Sequence, residues 1–183
     1  MFDPIADLLK LVLACPGRAP VPGMPRELDG LFRDLAANPP PRPPGELEDE
    51  IWALWTDHAD PGLALRMERA IAAMARKSFQ EALLELDTLV ADAPDWAEAW
   101  NKRATLYYLM GRHDESMADI ARTLALEPRH FGAICGFGQI CLAQGRQVEA
   151  LAAFETALAL HPHLEGVRQA VEALGTMPSR RLN

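Results

Sequence analysis

The sequence lacks the features that mark several common classes of protein. Its 183 residues include only three cysteines, an odd number without paired spacing, which argues against a disulfide framework. No apolar run reaches the roughly 18 residues that a membrane-spanning helix needs. Lysine and arginine number 18 against 26 acidic residues, and no dense basic cluster occurs. Binding to nucleic acid is therefore not expected.

Patterns that would indicate catalysis or a bound metal are also missing. The chain has no glycine-rich phosphate loop and no nucleophile elbow. Five histidines are scattered without the spacing of a known metal site; they are His58, His113, His130, His161 and His163. We expect no enzyme activity, no cofactor and no metal, and we interpret the histidines as solvated turn residues.

Residues 1–15 have two interpretations. Ile5, Leu8 and Val12 share one face of a helix, which predicts an amphipathic N-terminal helix. The segment ends at Cys15 in a sequence similar to a lipoprotein cleavage site, but acidic residues stand where an export signal needs positive charge. We favour the amphipathic helix and a cytoplasmic location. The alternative is a degenerate export signal with a periplasmic or lipid-anchored product.

Residues 16–62 are divided by two proline-rich stretches, 16–25 and 39–45. Because each proline fixes φ and removes a backbone donor, these stretches are interpreted as stiff connectors. Apolar residues recur at helical spacing between and after them, which predicts extra helices at about 26–37 and 46–58.

The strongest pattern is a repeat of 34 residues over the stretch 63–175. Pro94, Pro128 and Pro162 are evenly spaced, and Gly111 and Gly145 precede the last two at the same distance. A period of this length predicts stacked helical hairpins, with each glycine ending the first helix of its hairpin. An amphipathic segment after the last proline is expected to cap the stack. Residues 176–183 are interpreted as a tail.

Four further positions carry local predictions. Ala104 and Gly138 are expected where the two helices of a hairpin cross so closely that a larger side chain would clash. Asp95 and Glu98 have the spacing of a capping box at the start of the second hairpin.

These repeats resemble the tetratricopeptide repeat (TPR) family. The second repeat matches best and the third well, whereas the first is degraded, with Ala73 at the usual tyrosine position. The matching residues are Trp100, Arg103, Ala104, Tyr107, Gly111, His113, Ser116, Ile120, Thr123 and Pro128, followed by Gly138, Gly145, Ala150, Phe154, Ala157 and Pro162. The second repeat is also similar to compact alphaproteobacterial TPR proteins. The resemblance implies an all-α, right-handed α-solenoid of three TPR hairpins, with N-terminal extra helices and a C-terminal capping helix.

The resemblance also implies a peptide-binding groove lined by the first helix of each hairpin. The matching positions here are Met67, Glu68, Ile71 and Met74 in the first repeat, Glu98, Asn101, Lys102, Thr105 and Tyr108 in the second, and Cys135, Gln139 and Leu142 in the third. Some members of the family grip a terminal carboxylate with basic side chains. Those places hold Met67, Ile71, Lys102, Gly132 and Gly136, so such a clamp is not expected.

Two functions are compatible with this arrangement. The first is a non-enzymatic TPR adaptor that binds a protein or peptide segment and supports the assembly of a larger complex. The alternative is a structural subunit anchored through its N-terminal helix, with the groove filled by its own residues. In that case Met67 and Met74 would pack against the helix at 46–58, close by in sequence. The oligomeric state stays open.

Overall fold

The computed structural model describes residues 3–176, and regular structure within this range is entirely helical. The helices are α1 Pro4–Ala14, α2 Glu27–Ala36, α3 Pro44–Thr56, α4 Pro61–Ala75, α5 Phe79–Asp92, α6 Ala97–Leu109, α7 His113–Leu126, α8 Phe131–Ala143, α9 Gln147–Leu160 and α10 Glu165–Gly175. The all-α prediction is confirmed for this part of the chain. The predicted tail, apart from Thr176, lies outside the described residues.

Three antiparallel hairpins, α4–α5, α6–α7 and α8–α9, stack in sequence order, and α10 packs on α9. Gly111 and Gly145 adopt φ of 74° and 73° between the helices of their hairpins, as the repeat predicted. Lys77 holds the equivalent place in the first hairpin with φ of 60°, a conformation that strains a residue with a Cβ atom.

The hairpin core is tightest in the third repeat. A Cβ atom at Gly138 would lie 2.5 Å from Cε1 of Phe154, so the predicted close crossing at this position is confirmed. Ala104 is buried at the matching place in the second repeat, and its carbonyl accepts a hydrogen bond of 2.7 Å from the Ser116 hydroxyl. Among residues 3–176, no helix is both long enough and apolar enough to cross a membrane.

Helix α1 packs against α7 and α9, the second helices of the last two hairpins. Its buried face consists of Ile5, Leu8 and Val12, which join the core of those hairpins. Asp3 caps the helix by accepting from the amide of Ile5, and it also pairs with Arg146 at 3.1 Å. The N-terminal segment is thus part of the core of the second and third repeats.

The connector after α1 crosses the end of α7 and leads to α2 and α3. Arg18 donates to the carbonyl of Leu124, and the amide of Val21 donates to the carbonyl of Leu126. Helix α3 begins at Pro44, two residues before the predicted start, because proline at the first helical turn needs no partner for an N–H group. Helices α2 and α3 form a separate small core that includes Phe131 of α8.

Candidate functional site

Helix α3 lies across three successive inter-repeat loops. The indole Nε1 of Trp96, before α6, donates to the Trp55 carbonyl at 2.8 Å. His130, before α8, contacts the ring of Trp55. His161, before α10, donates through Nε2 to Glu48 at 3.1 Å. One helix of the N-terminal extension therefore spans the N-terminal ends of the hairpins along the stack.

Aromatic rings seat α3 against the start of α8. The ring of Trp52 meets His130 edge to face with centres 5.6 Å apart, and it meets Phe131 in the same way at 5.4 Å. A Cβ atom at Gly132 would lie only 2.6 Å from Cη2 of Trp52. Glycine at this position is what allows the edge of the Trp52 ring to approach the helix backbone this closely.

A buried polar network lies beneath these rings. Glu98 is fully buried, and its Oε2 accepts from Nε2 of His130 at 2.8 Å and from Nδ2 of Asn101 at 2.9 Å. Its Oε1 lies 2.6 Å from Nζ of Lys102. Nδ1 of His130 accepts from the amide of Ala133, so Nε2 carries the proton. Burial alone would raise the pKa of Glu98, but the His130 hydrogen bond and the Lys102 charge outweigh it and lower that pKa.

Three predicted groove residues, Glu98, Asn101 and Lys102, are therefore brought together, but beneath α3. Glu98 and Asn101 are buried, and Nζ of Lys102 lies 5.2 Å from the centre of the Trp52 ring. The predicted capping box is wrong, because α6 begins at Ala97 with Trp96 as its cap residue and Glu98 points inward.

The interpretation of the histidines as solvated is wrong for His130 and His161, which are both fully buried. The sequence contained one signal for the His130 site. Glu98 sits between Ala97 and Ala99 in an otherwise apolar stretch, and a carboxylate in such a setting needs a buried partner.

The remaining part of the groove face, the side formed by α4, α6 and α8, is open between α6 and α8. A pocket of about 80 Å³ lies there beside the network. It is lined by Asn101, Ala104, Thr105, Tyr108, Ser116, Ile120, Gly132, Ala133, Gly136 and Gln139. Four of the predicted groove residues thus share one pocket, and Leu142 lies one helical turn beyond it, half-buried. The pKa of the neighbouring Cys135 thiol is raised by burial to about 12.

The predicted groove residues of the first repeat lie apart from this pocket. Met67 is buried in the core between α4 and α5, and Met74 packs against the same core. Ile71 and Glu68 are exposed. The expectation that Met67 and Met74 pack against α3 is wrong, because the aromatic residues of α3 dock on Phe131 and His130 of later repeats.

Comparisons with known proteins agree with this architecture. No family model matches the chain. A TPR repeat-containing protein of Rhizobium etli is 38% identical over 137 residues, which cover 75% of this chain and 67% of that protein. The chain belongs to the tetratricopeptide repeat family.

A solved structure shows the same TPR fold. The TPR domain of Sgt2 from Aspergillus fumigatus matches with a TM-score of 0.58 and 18% identity, covering 68% of this chain and 90% of that domain. This likeness concerns the fold, and it confirms the predicted α-solenoid. TPR folds generally mediate interactions between proteins, because the stacked hairpins create an extended binding surface.

Proposed function

We propose that this TPR protein is a non-enzymatic adaptor. It binds an extended protein segment on the open part of its groove face and thereby supports the assembly of a larger complex. The observation that carries the proposal is the pocket between α6 and α8, where Thr105 and Gln139 are exposed beside Tyr108.

The covered part of the groove face supports the same proposal. The rings of Trp52 and Trp55 and the Glu98 network hold the two helices that form the pocket in a fixed relation. A binding site built on rigid elements loses less conformational entropy when a ligand docks. The N-terminal extension therefore acts as a brace for the site, and the partner contacts the residues that the brace leaves free.

A site-specific photocrosslinker tests this function in the organism that makes the protein. Benzoylphenylalanine replaces Gln139 in one strain and Val148, an exposed residue of α9 with 78% exposure, in the matched control. We expect discrete protein adducts from position 139 and none from position 148. Adding Tyr108→Ala should reduce the adducts at 139. Equal adduct patterns at the two positions would contradict the proposal.

One observation favours the alternative of a structural subunit. Trp52 lies against Gly132, so part of the groove face is already filled by the chain itself. In this alternative the N-terminal segment makes the intermolecular contact. Because Ile5, Leu8 and Val12 are already buried, the contact would use the outer side of α1, where Leu13 is exposed. A crosslinker at Leu13 that yields the adducts instead of one at Gln139 would favour this function.

A further inference from the structure

The packing of the protein itself does not require glycine at position 136. It lies inside α8, where glycine weakens a helix more than any residue except proline. The nearest atom to a Cβ atom built at Gly136 is Cδ1 of Ile120 at 3.7 Å, which is an ordinary contact. By contrast, Gly132 makes room for Trp52 and Gly138 makes room for Phe154. The missing side chain at Gly136 therefore leaves space in the pocket between α6 and α8, which Gly136 lines.

The size of this pocket restricts what can enter it. Its volume of about 80 Å³ is roughly half of the 150 Å³ that accommodates a benzene molecule in an engineered protein cavity. The side chain of Ile120 and the small residues Ala104, Ala133 and Gly136 make its walls mainly apolar. A short aliphatic side chain fits such a space, whereas an aromatic ring or a charged side chain does not.

Polar groups lie at the mouth of the pocket. Gln139 is exposed on α8, and its amide can both donate and accept hydrogen bonds. Thr105 is exposed on α6, where its hydroxyl donates to the carbonyl of Asn101 and leaves its lone pairs for a ligand. An apolar pocket with such a rim suits a peptide backbone whose side chain points inward.

We propose that the space at Gly136 receives one alanine or valine side chain of an extended peptide segment, with Gln139 and Thr105 contacting the backbone of that segment. This inference rests on the proposed adaptor function and specifies the chemistry of the partner. The groove thus selects for side-chain size at one position of the ligand.

A phage-displayed library of random dodecapeptides tests the inference on the full chain. Peptides selected on the wild type should share alanine or valine at one position, and synthetic copies should bind Gly136→Val at least about tenfold more weakly. Gly136→Ala should also bind more weakly while its Tm stays equal or rises, because alanine favours the helix. Gly30→Ala is the matched control, since a Cβ atom there meets nothing closer than 4.0 Å. Its Tm should rise without any change in peptide binding.

The outcomes separate this inference from the function on which it rests. If the selected peptides bind the wild type and Gly136→Val equally well but fail to bind the double variant Tyr108→Ala, Gln139→Ala, the inference is overturned and the adaptor function stays intact. An aromatic consensus at the shared position would do the same. Both the inference and the adaptor function would be overturned if the selected peptides bind the double variant as tightly as the wild type, or if no peptide is selected.

Discussion

The indole ring of Trp55 stacks on the imidazole ring of His130, with ring centres 4.1 Å apart and an interplanar angle of 11°. The same imidazole donates to Glu98 of α6 and caps the start of α8. A single stack of two rings therefore links the N-terminal extension to both helices of the open pocket. Loss of this stack should therefore lower the stability of the second and third hairpins together.

Trp55→Ala tests the stack directly. Removing this almost fully buried indole leaves a cavity, and we expect the free energy of unfolding to fall by about 3–5 kcal/mol. Urea unfolding followed by circular dichroism measures the loss. Trp100→Ala serves as a comparison at a half-buried tryptophan outside α3, whose Nε1 donates to the carbonyl of Pro94. A loss below about 1 kcal/mol in Trp55→Ala would contradict the docked position of α3.

Leu8→Ala tests whether α1 belongs to the core. Leu8 is buried against the last two hairpins, so its truncation should cost about 2–5 kcal/mol of unfolding free energy. Leu13→Ala lies in the same helix, but its side chain is 54% exposed and should change stability by less than about 0.5 kcal/mol. Thermal melts of both variants suffice. Similar Tm values would show that α1 does not pack where the structure has it.

Gly138→Ala tests the close crossing inside the third hairpin. The added methyl group would lie 2.5 Å from the Phe154 ring, so either the ring or α8 must shift. Overpacking of this kind typically costs about 1–3 kcal/mol. Gly30→Ala provides the reference for the helix-propensity gain without a clash. A Gly138→Ala protein as stable as the Gly30→Ala protein would contradict the crossing geometry.

His161 makes stability depend on pH. Burial lowers the pKa of His161 below its ordinary value of 6.5, although the hydrogen bond to Glu48 acts to raise it. The unfolded chain therefore takes up a proton near pH 6.5, while the folded chain takes it up only at lower pH. This contribution to stability is present above pH 6.5 and is lost as the pH falls through the pKa of the folded state.

Urea unfolding between about pH 7.5 and about pH 5 measures this dependence, which follows from the difference in bound protons. As the pH falls, the free energy of unfolding should decrease more steeply in the wild type than in His161→Gln. The pH dependence of the free energy of unfolding should be steeper in Glu48→Gln than in the wild type, because the carboxylate that favours the protonated imidazole is gone. The same slope in all three proteins would contradict the assignment.

The three thiols should be unreactive in the folded protein. Burial raises the pKa of Cys15 to about 11 and the pKa values of Cys135 and Cys141 to about 12. Since the thiolate is the reactive form, modification by a thiol reagent at pH 8 should be on the order of a hundredfold slower than in urea. A native thiol that reacts at the unfolded rate would show that its helix opens readily.

The hairpin stack was predictable because its signals are local and periodic. Gly111 and Gly145 mark the ends of helices through a conformation that glycine favours. Because the same signal recurs at a spacing of 34 residues, each occurrence supports the other. The docking of α3 was not predictable in this way. Trp52 and Trp55 are near α4 in sequence, yet they pack on Phe131 and His130, about 75 residues later, through shape and hydrogen bonding that no period encodes.

The candidate groove positions illustrate the same division. Family resemblance located Thr105, Tyr108 and Gln139 on the helices that line the pocket. It could not indicate that Glu98 is covered, because burial of that carboxylate depends on His130 and on a helix outside the repeats. In the sequence, Gly136 stands out only because it occupies the place of a basic clamp residue, and its role depends on the space around it in the folded chain.

The ion pair between Asp3 and Arg146 joins residues 143 positions apart, in a fold whose hairpins otherwise form from close neighbours. Hairpins of this kind can fold as they leave the ribosome. Helix α1, in contrast, finds α9 only after most of the chain has been made, about 7–30 s later at usual rates of translation. Until α7 has been made, Ile5, Leu8 and Val12 have neither of the helices on which they pack in the finished fold. The completed third repeat thus sets the time at which α1 has all of its packing partners.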